Sequence, residues 1–368
     1  MRNDHFYERY HRQLILEGFG MAAQEKLAGA KVLIAGAGGL GCPALLYLAG
    51  AGVGKIGIVD EGMVELSNLH RQVLYSVHDI GKSKVDCARQ VLNRLNPEVE
   101  ICPLQVRLNN SNCLDVIRDY DIVIDGLDNF QTKYLLNDAC ALLLKPLIYG
   151  AITRFEGQVS IFNVPSPQGS VNYRDLYPRQ PGSGETMSCN EAGVLGILPG
   201  IIGSFQAGEC IKLITGIGEP LVNKLLTYNA LTSEIYTIGL SPSGTGSTLI
   251  PRNEAQFSAR DDQLSCTPGA AVIEIDSAQF CALIKDGEAV VVDVRGPGER
   301  PVLKGIGHLQ IPLPQLSERH SEIKQDTVVF VCQSGQRSLT AASRFSRLHP
   351  GSKDIYSLKG GVNGLKSL

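Results

Sequence analysis

Several features that would point to common protein classes are missing from this chain. Its ten cysteines include no Cys-x-x-Cys pair, and its net charge of −3 provides no global basic field for a nucleic acid. No apolar run approaches the roughly 18 residues that a membrane span requires, and the N-terminal residues contain no apolar signal core. We therefore expect a cytoplasmic protein that binds neither nucleic acid nor a membrane, and whose cysteines are mostly buried small apolar residues.

Length and composition favour two folded domains. Apolar residues make up 43% of the 368 positions and charged residues 19%, which is enough for real hydrophobic cores. Serine, glycine, proline and threonine are concentrated in residues 240–269, a composition typical of a linker. The sequence therefore predicts a first domain at residues 1–239 and a second, smaller domain at residues 270–368.

The first domain alternates short apolar runs with helical segments, which predicts a Rossmann-like, doubly wound α/β fold with a parallel sheet covered on both faces. Residues 164–190 are rich in proline and glycine and predict a long mobile loop. The second domain is also α/β, with strands at 290–294 and 327–331 and a helix at 338–348. In the first domain the predicted strands are 31–36, 56–60, 99–104, 121–126, 147–151 and 157–163, and the predicted helices are 42–51, 82–95, 111–118, 131–142 and 197–215.

A glycine-rich turn, Gly-Ala-Gly-Gly-Leu-Gly at residues 36–41, joins the first predicted strand to the first predicted helix. Glycine lets the backbone approach a phosphate, and the helix N-terminus directs N–H groups and its positive dipole toward that phosphate. Asp60 ends the next strand, where its carboxylate is suited to hold ribose hydroxyls. The expected nucleotide-binding residues are Gly36, Gly38, Gly39, Gly41, Asp60, Asn68, Arg71, Gln72 and Lys84.

The polar residues after this turn indicate which nucleotide chemistry to expect. Transfer of AMP to a carboxylate requires attack on the α-phosphate and departure of pyrophosphate, so negative charge must be neutralised. Arg71 and Lys84 are suited to that role, whereas Asn68 can hydrogen-bond phosphate or ribose without adding charge. Asp128 follows a predicted strand and is suited to hold Mg²⁺. Taken singly, Arg71 and Lys84 would be ordinary solvated charges, and Asp128 would form an Asx turn.

Six segments occur in a fixed order: residues 9–16, 36–41, 66–72, 81–84, 125–129 and 191–193. Together with Asp60 they resemble the adenylyltransferases that activate ubiquitin-like sulfur carriers in molybdopterin and thiamine synthesis. The resemblance covers residues 6–238 and implies ATP and Mg²⁺ as cofactors and a small carrier protein ending in Gly-Gly as partner. It also implies a homodimer in which Arg12 reaches the ATP phosphates bound by the other subunit.

The same resemblance bears on Cys189 and on zinc. In relatives the cysteine that matches Cys189 forms a covalent link to the C-terminus of the carrier or receives sulfur, and a buried structural thiol is the alternative. Relatives also hold zinc on two Cys-x-x-Cys pairs, but the matching positions here read Asn-Tyr-Arg-Asp at 172–175 and Gln-Leu-Ser-Cys at 263–266. One thiol of four cannot build a closed tetrahedral site, so no structural zinc is expected.

In the second domain, Cys-Gln-Ser-Gly-Gln-Arg-Ser at residues 332–338 follows a predicted buried strand and opens a helix. Backbone N–H groups, the helix dipole and Arg337 would stabilise an anion on the sulfur of Cys332. With residues 293–295 and 358–361, this segment resembles the active loop of rhodanese sulfurtransferases. Four residues separate Cys332 from Arg337, one fewer than in a protein phosphatase, which favours a persulfide over a phosphate. A buried structural cysteine is the alternative.

These observations predict an enzyme, an adenylyltransferase and sulfurtransferase that makes a thiocarboxylate on the C-terminal glycine of the carrier. The sulfur donor would be a persulfide protein or thiosulfate. An NAD-dependent oxidoreductase with a rhodanese appendage is an alternative that leaves the charged residues after the turn without roles. A carrier-binding scaffold without activity is another, which the intact phosphate and sulfur residues argue against. The expected catalytic residues are Arg12, Arg71, Lys84, Asp128, Cys189, Cys332 and Arg337.

Overall fold

The computed structural model divides the chain into two compact units. In the first unit it describes residues 4–180, 193–244 and 246–260, and in the second residues 272–285, 287, 289–303, 305–349 and 353–365.

The first unit is built on one eight-stranded sheet. Its strands are β1 (Lys31–Ala35), β2 (Lys55–Val59), β3 (Glu100–Leu104), β4 (Ile122–Asp125), β5 (Leu147–Thr153), β6 (Glu156–Phe162), β7 (Lys224–Asn229) and β8 (Ile235–Gly239). They lie in the order β3-β2-β1-β4-β5-β6-β7-β8. The first five in this order are parallel, and β6, β7 and β8 continue the sheet antiparallel. Because the order reverses between β1 and β4, the crevice beyond their carboxyl ends is the expected ligand site of such a sheet.

Helices cover both faces of this sheet. One buried cluster packs residues such as Leu45 and Ile202 against one face of β1, and another packs Ile117 and Tyr134 against its opposite face. This arrangement confirms the predicted doubly wound α/β fold. The helices are α1 (Asp4–Leu14), α2 (Gly20–Gly29), α3 (Gly41–Ala51), α4 (Lys84–Leu95), α5 (Cys113–Arg118), α6 (Phe130–Leu142), α7 (Tyr173–Leu176), α8 (Ile197–Thr215) and α9 (Glu254–Ser258).

Helix α8 corrects one expectation from the sequence. By length and composition alone its 19 residues could cross a membrane, so the prediction that no segment approaches that length was wrong. In this structure α8 is a core helix of the first unit, and Leu198 and Ile202 are fully buried. Its buried Gln206 donates hydrogen bonds from Nε2 to the carbonyl oxygens of Asp125 (2.8 Å) and Ile148 (3.1 Å). These bonds fix α8 to the carboxyl end of β4.

The proline- and glycine-rich segment is ordered in its first part. Residues 164–180 include α7, and Tyr173 packs among the rings of Tyr134, Tyr149 and Phe162 with 2% of its surface exposed. The prediction of one long mobile loop was therefore wrong for residues 164–180, because a buried aromatic cluster holds them. Residues 181–190 lie outside the described residues.

Residues 246–260, which the sequence placed in a linker, pack onto the first unit. They form a 3-10 turn, Ser247–Leu249, followed by α9, and Phe257 lies in the buried cluster beside α6. Arg260 forms an ion pair with the buried carboxylate of Asp138. This segment is thus anchored by one aromatic ring and one guanidinium, while residues 261–271 lie outside the described residues.

The second unit is a five-stranded parallel sheet with helices on both faces. Fully buried Phe345 lies in the cluster on one face and fully buried Phe280 in the cluster on the other. The strands β9 (Ile273–Ile275), β10 (Ala289–Asp293), β11 (His308–Gln310), β12 (Thr327–Val331) and β13 (Asp354–Leu358) lie in the order β11-β10-β12-β13-β9, and the helices are α10 (Ser277–Lys285), α11 (Leu316–Arg319) and α12 (Gln336–Leu348). Central β12 reads Thr-Val-Val-Phe-Val, the continuous apolar run expected of a strand buried on both faces.

Candidate active sites

The glycine-rich turn lies where two chain segments cross at the carboxyl ends of β1 and β4. Gly36 has φ +97°, and a Cβ atom there would lie 2.7 Å from the carbonyl oxygen of Gly126. Gly38 is different, because the nearest atom to a Cβ there is Gln72 Nε2 at 3.7 Å. Gly36 is therefore required for the crossing of the two segments, whereas Gly38 leaves open backbone that a phosphate can approach.

Asp60 ties this turn to the end of β2. Its Oδ2 accepts a hydrogen bond from the backbone N–H of Ala37 (2.9 Å), and its Oδ1 accepts one from that of Gly62 (2.7 Å). Each oxygen keeps a second lone pair, so the carboxylate can still accept a ribose hydroxyl. The structure thus gives Asp60 a positioning role that the sequence did not predict, and its predicted role in holding ribose stays a prediction.

Residues 68–72 form the wall of the site opposite the turn. The carbonyl oxygen of Asn68 accepts hydrogen bonds from the N–H groups of Arg71 (3.0 Å) and Gln72 (2.9 Å), which fixes the backbone of both residues beside the glycines. Arg71 Cγ lies 3.6 Å from the position of a Cβ at Gly39. Gln72 is 4% exposed, and its Oε1 is a buried acceptor without a partner among the described residues. An orphaned amide beside an open glycine fits a site built for a polar ligand.

Asn68 is used mainly within the protein. Its Oδ1 accepts a hydrogen bond from the N–H of Glu65 (3.2 Å), and its Nδ2 lies 3.4 Å from Ser67 Oγ. The side chain caps the turn Leu66–Asn68. Its predicted contact with phosphate or ribose stays a prediction.

Lys84 and Asp128 supply one charge of each sign at the site. Lys84 begins α4, and its Nζ lies 3.4 Å from the position of a Cβ at Gly62, the residue that binds Asp60. Asp128 is exposed two residues beyond Gly126, whose N–H donates to the carbonyl oxygen of Ala35 (2.8 Å). In the part of the chain that the structure describes, neither side chain forms an ion pair. Both charges are therefore available to a ligand.

A buried ion pair beneath this loop was missed by the sequence analysis. Lys133 Nζ donates to Asp125 Oδ2 (2.8 Å) and to the carbonyl oxygen of Gly150 (2.7 Å), and the two side chains are 7% and 1% exposed. Burial raises the pKa of Asp125, and the ammonium of Lys133 opposes this rise. The signal was present in the helix periodicity, because Lys133 shares the buried face of α6 with Leu136, Asn137 and Cys140.

Cys42 stands at the N-terminus of α3, a position that often activates a thiol. Here burial raises the pKa of Cys42 to about 12, so this cysteine is inert. Burial also raises the pKa of the Cys140 and Cys210 thiols. These three cysteines are buried apolar residues, as expected.

Two predicted catalytic residues are not brought to the turn by any described contact. Arg12 is exposed in the last turn of α1, and its side chain has neither a hydrogen bond nor an ion pair among the described residues. Helix α1 itself is anchored through Tyr10, whose hydroxyl accepts a hydrogen bond from Asn96 Nδ2 (2.8 Å). Cys189, like Glu191 of the sequence segment 191–193, lies outside the described residues.

Residues 172–175, which match the position of the first Cys-x-x-Cys pair in relatives, are not suited to bind zinc. Asp175 Oδ2 accepts hydrogen bonds from the backbone N–H (2.9 Å) and side-chain Nδ2 (2.7 Å) of Asn172, while its Oδ1 accepts from the N–H (2.9 Å) and Oγ (2.7 Å) of Ser243. Next to it, Arg174 binds Asp138 through two bonds of 2.7 Å. Amide and guanidinium groups are not zinc ligands. In this structure, hydrogen bonds link residues 172–175 to Ser243, and ion pairing links them to Asp138. Among the described residues, no group of three side chains that could ligate a metal is found.

In the second unit, Cys332 ends β12 inside a loop that opens α12. Its sulfur accepts a hydrogen bond from the N–H of Gly335 (3.1 Å) and lies 3.5 Å from Ser338 Oγ, and the residue is fully buried. Ser338 Oγ donates to the carbonyl oxygen of Gly335 (2.9 Å) and lies 3.0 Å from Ser357 Oγ. The sulfur therefore accepts one backbone hydrogen bond beside the N-terminus of α12, a position at which thiols are often activated.

The two arginines beside this loop are each paired with a carboxylate. Arg337 Nη1 and Nη2 donate to the two oxygens of Glu299, both at 2.7 Å. Arg295 forms a buried pair with Asp293 and also donates to Gln333 Oε1 of the loop (3.3 Å). The hydrogen bond from Arg337 lowers the pKa of Glu299. The sequence predicted Arg337 but missed Glu299, which stands four residues after Arg295.

In the first unit, a glycine turn between a strand and a helix lies beside an arginine, a lysine and two aspartates, as expected of an adenylyltransferase. In the second unit, a buried cysteine in a loop that opens a helix is the arrangement expected of a sulfurtransferase. The chain belongs to the ThiF family, whose model matches residues 10–246, and residues 276–368 match the rhodanese-like domain. Family membership implies use of ATP, and the predicted family and enzyme class are confirmed.

Curated relatives support this assignment. The chain is 41% identical over 361 residues to the probable adenylyltransferase/sulfurtransferase MoeZ of Mycobacterium tuberculosis, covering 96% of this chain and 91% of that protein. It is 50% identical over 226 residues to a sulfur carrier protein adenylyltransferase of Thermus thermophilus, covering 61% of this chain and 83% of that protein. These matches favour a transferase over the NAD-dependent oxidoreductase.

A solved structure supports the fold of the first unit. A crystal structure of E. coli MccB with AMPCPP and MccA aligns with a TM-score of 0.54 and 26% identity, covering 64% of this chain and 73% of that chain.

Proposed function

We propose that this enzyme adenylates the C-terminal glycine carboxylate of a small ubiquitin-like sulfur carrier and then replaces AMP by sulfur delivered through Cys332. The product is a carrier thiocarboxylate. One observation carries the first step: Arg71, Gln72 and Asp60 adjoin a glycine turn that leaves open backbone at Gly38. The relative from Thermus thermophilus is named for adenylation of a sulfur carrier protein, which supports the same substrate class.

In the adenylation step, a carboxylate oxygen attacks the α-phosphate and pyrophosphate leaves. We assign Arg71 and Lys84 to neutralise the charge that develops on the phosphates, and Asp60 to hold the ribose. Asp128 is exposed and forms no ion pair among the described residues, so its carboxylate is suited to bind Mg²⁺. In nucleotide sites, Mg²⁺ is commonly held by one or two carboxylates together with the substrate phosphates. Bound Mg²⁺ would supply further charge neutralisation on the pyrophosphate.

In the sulfur-transfer step, the terminal sulfur of a Cys332 persulfide attacks the activated carbonyl and AMP leaves with its electron pair. The resulting acyl disulfide is cleaved when a second thiolate attacks the Cys332 sulfur, a role we assign to Cys189. This attack releases the thiocarboxylate and leaves a disulfide between the two cysteines, which a cellular thiol reduces. Such chemistry suits the reducing cytoplasm, where we place the enzyme.

Arg12 is assigned to the nucleotide site of a second subunit in a homodimer. Its exposed guanidinium, without a partner among the described residues of its own chain, is consistent with that role. Mixing an Arg12→Ala chain with an Arg71→Ala chain should then restore part of the activity that each lacks alone.

The direct test of adenylation is carrier-dependent exchange of pyrophosphate into ATP. Lys84→Ala should abolish exchange without loss of folding, because the ammonium compensates phosphate charge and has no ion pair within the described protein. Lys82→Ala is the matched control, since exposed Lys82 lies two residues earlier and pairs with half-buried Asp79 (3.7 Å). Exchange by Lys84→Ala at the wild-type rate would contradict the assignment.

A further inference from the structure

The Glu299–Arg337 pair lies beside the loop that holds the sulfur of Cys332. Arg337 lies in the first turn of α12, two residues after Gly335, whose N–H binds the sulfur of Cys332. Both carboxylate oxygens of Glu299 are engaged at 2.7 Å, and one of them also accepts the N–H of Gly296 (2.7 Å). The pair is therefore a fixed, bidentate contact.

This pairing changes what an incoming sulfur donor meets. The guanidinium groups of Arg295 and Arg337 adjoin the loop, and Asp293 and Glu299 respectively compensate their charges. Lys359, beside Gly360 on the adjoining segment, is exposed and keeps a strongly hydrated charge. A small dianion such as thiosulfate gains little from a guanidinium that a carboxylate already neutralises, and it is repelled by that carboxylate.

We infer that Glu299 is a specificity-determining residue that disfavours small dianionic sulfur donors such as thiosulfate and leaves the loop to donors of lower charge, such as a cysteine persulfide on a protein. This inference rests on the proposed role of Cys332 as the sulfur-accepting thiol. Glu299 acts through Arg337 and touches neither the sulfur nor the loop backbone in the contacts described above, so it is a positioning residue.

The step that Glu299 disfavours is the transfer of sulfur from thiosulfate to Cys332. The thiolate of Cys332 attacks the outer sulfur of thiosulfate, a sulfur–sulfur bond forms, the original one breaks, and sulfite leaves with the electron pair. Cyanide then takes the outer sulfur as thiocyanate and regenerates the thiolate. Only the first half-reaction brings an anionic donor to Arg337.

The test uses the full chain with cyanide as acceptor and compares thiosulfate with an organic persulfide that carries no charged group besides the persulfide itself. In Glu299→Gln the amide keeps an acceptor for Arg337 but removes the compensating charge. We expect the KM for thiosulfate to fall at least about tenfold, a moderate value because the pair is partly exposed and screened by solvent. The kinetic constants for the organic persulfide should change much less than those for thiosulfate because its charge is lower, and added salt should erase the gain with thiosulfate.

Two further variants separate charge from structure. Glu322→Gln removes a similar bidentate partner from Arg319, at 2.6 and 2.8 Å, in an exposed pair, and should leave both donors unaffected. In the double variant Glu299→Gln/Arg337→Gln the gain with thiosulfate should vanish.

An unchanged KM for thiosulfate in a folded Glu299→Gln protein, or an equal change with both donors, would overturn the inference. Failure of the wild-type protein to accept sulfur from the organic persulfide would instead overturn the proposed role of Cys332. If Glu299→Gln does not fold, Glu299→Asp must retain discrimination against thiosulfate, and a gain there would refute the charge argument.

Discussion

Replacement of Lys133 by methionine tests whether the buried pair beneath the nucleotide loop supports the first unit. Lys133→Met keeps much of the side-chain volume but leaves the 1% exposed carboxylate of Asp125 without its cation. Removing one partner of a buried pair costs about 3–5 kcal/mol, whereas an exposed pair is worth about 0–1 kcal/mol. We expect a loss of about 3 kcal/mol in the free energy of unfolding, measured by urea denaturation.

The pH dependence of this variant gives an independent check. Without Lys133, Asp125 is expected to take up a proton on folding, since burial already raises its pKa in the intact protein. A carboxyl whose pKa is higher in the folded state loses stability as the pH rises above its unfolded value, about 3.9. Lys133→Met should therefore be closest to the wild-type stability in acid and fall behind it toward neutral pH.

Lys82→Met is the matched control, because the Lys82 side chain is 59% exposed and its partner Asp79 lies 3.7 Å away. Its cost should be below about 1 kcal/mol. If Lys133→Met costs no more than Lys82→Met, or shows no added pH dependence, the pair does not support the loop as argued.

Two further predictions concern the zinc-pair position and the second unit. Asp175→Ala should lower the free energy of unfolding in urea by about 2–3 kcal/mol, because it leaves Asn172 and Ser243 without their shared acceptor. Elemental analysis of the wild-type protein should find well under one zinc per chain. Stoichiometric, chelator-resistant zinc would contradict this. Burial, and then His320 and Lys353, lower the pKa of His349, so its contribution to stability is present above about pH 6.5 and is lost as the pH falls through its folded pKa. Hydrogen exchange of the β12 amides, corrected for the intrinsic rate, should therefore show less protection at pH 5.5 than at pH 7.5, and His349→Gln should reduce that difference.

Much of the fold was predictable because local patterns determine it. Apolar runs placed β1, β2, β4 and β12 within a residue of their observed ends. The glycines at 36 and 38 were correctly tied to a strand–turn–helix unit. Strands β7 and β8 were missed, since the outer strand β8 is exposed along its length and lacks a buried apolar pattern.

The remaining features depend on contacts between distant residues. Phe257 anchors residues 246–260 to a core that includes Tyr134 and Leu136, more than a hundred residues earlier, so composition alone suggested a linker there. Glu299 and Arg337 are 38 residues apart, and nothing in either local sequence indicates that they pair. Asp125 and Lys133 lie on a strand and on the helix that follows it, and the sequence analysis predicted no contact between them.

The central claim is that one chain activates a carboxylate in its first unit and delivers sulfur from Cys332 in its second. The most direct measurement is the mass of a ubiquitin-like carrier ending in Gly-Gly after incubation with ATP, Mg²⁺, a protein persulfide and either wild-type enzyme or Cys332→Ser. Wild-type enzyme should replace one oxygen of the carrier by sulfur, while Cys332→Ser should retain pyrophosphate exchange and leave the carrier without sulfur. Conversion of the carrier by Cys332→Ser at the wild-type rate would contradict the account.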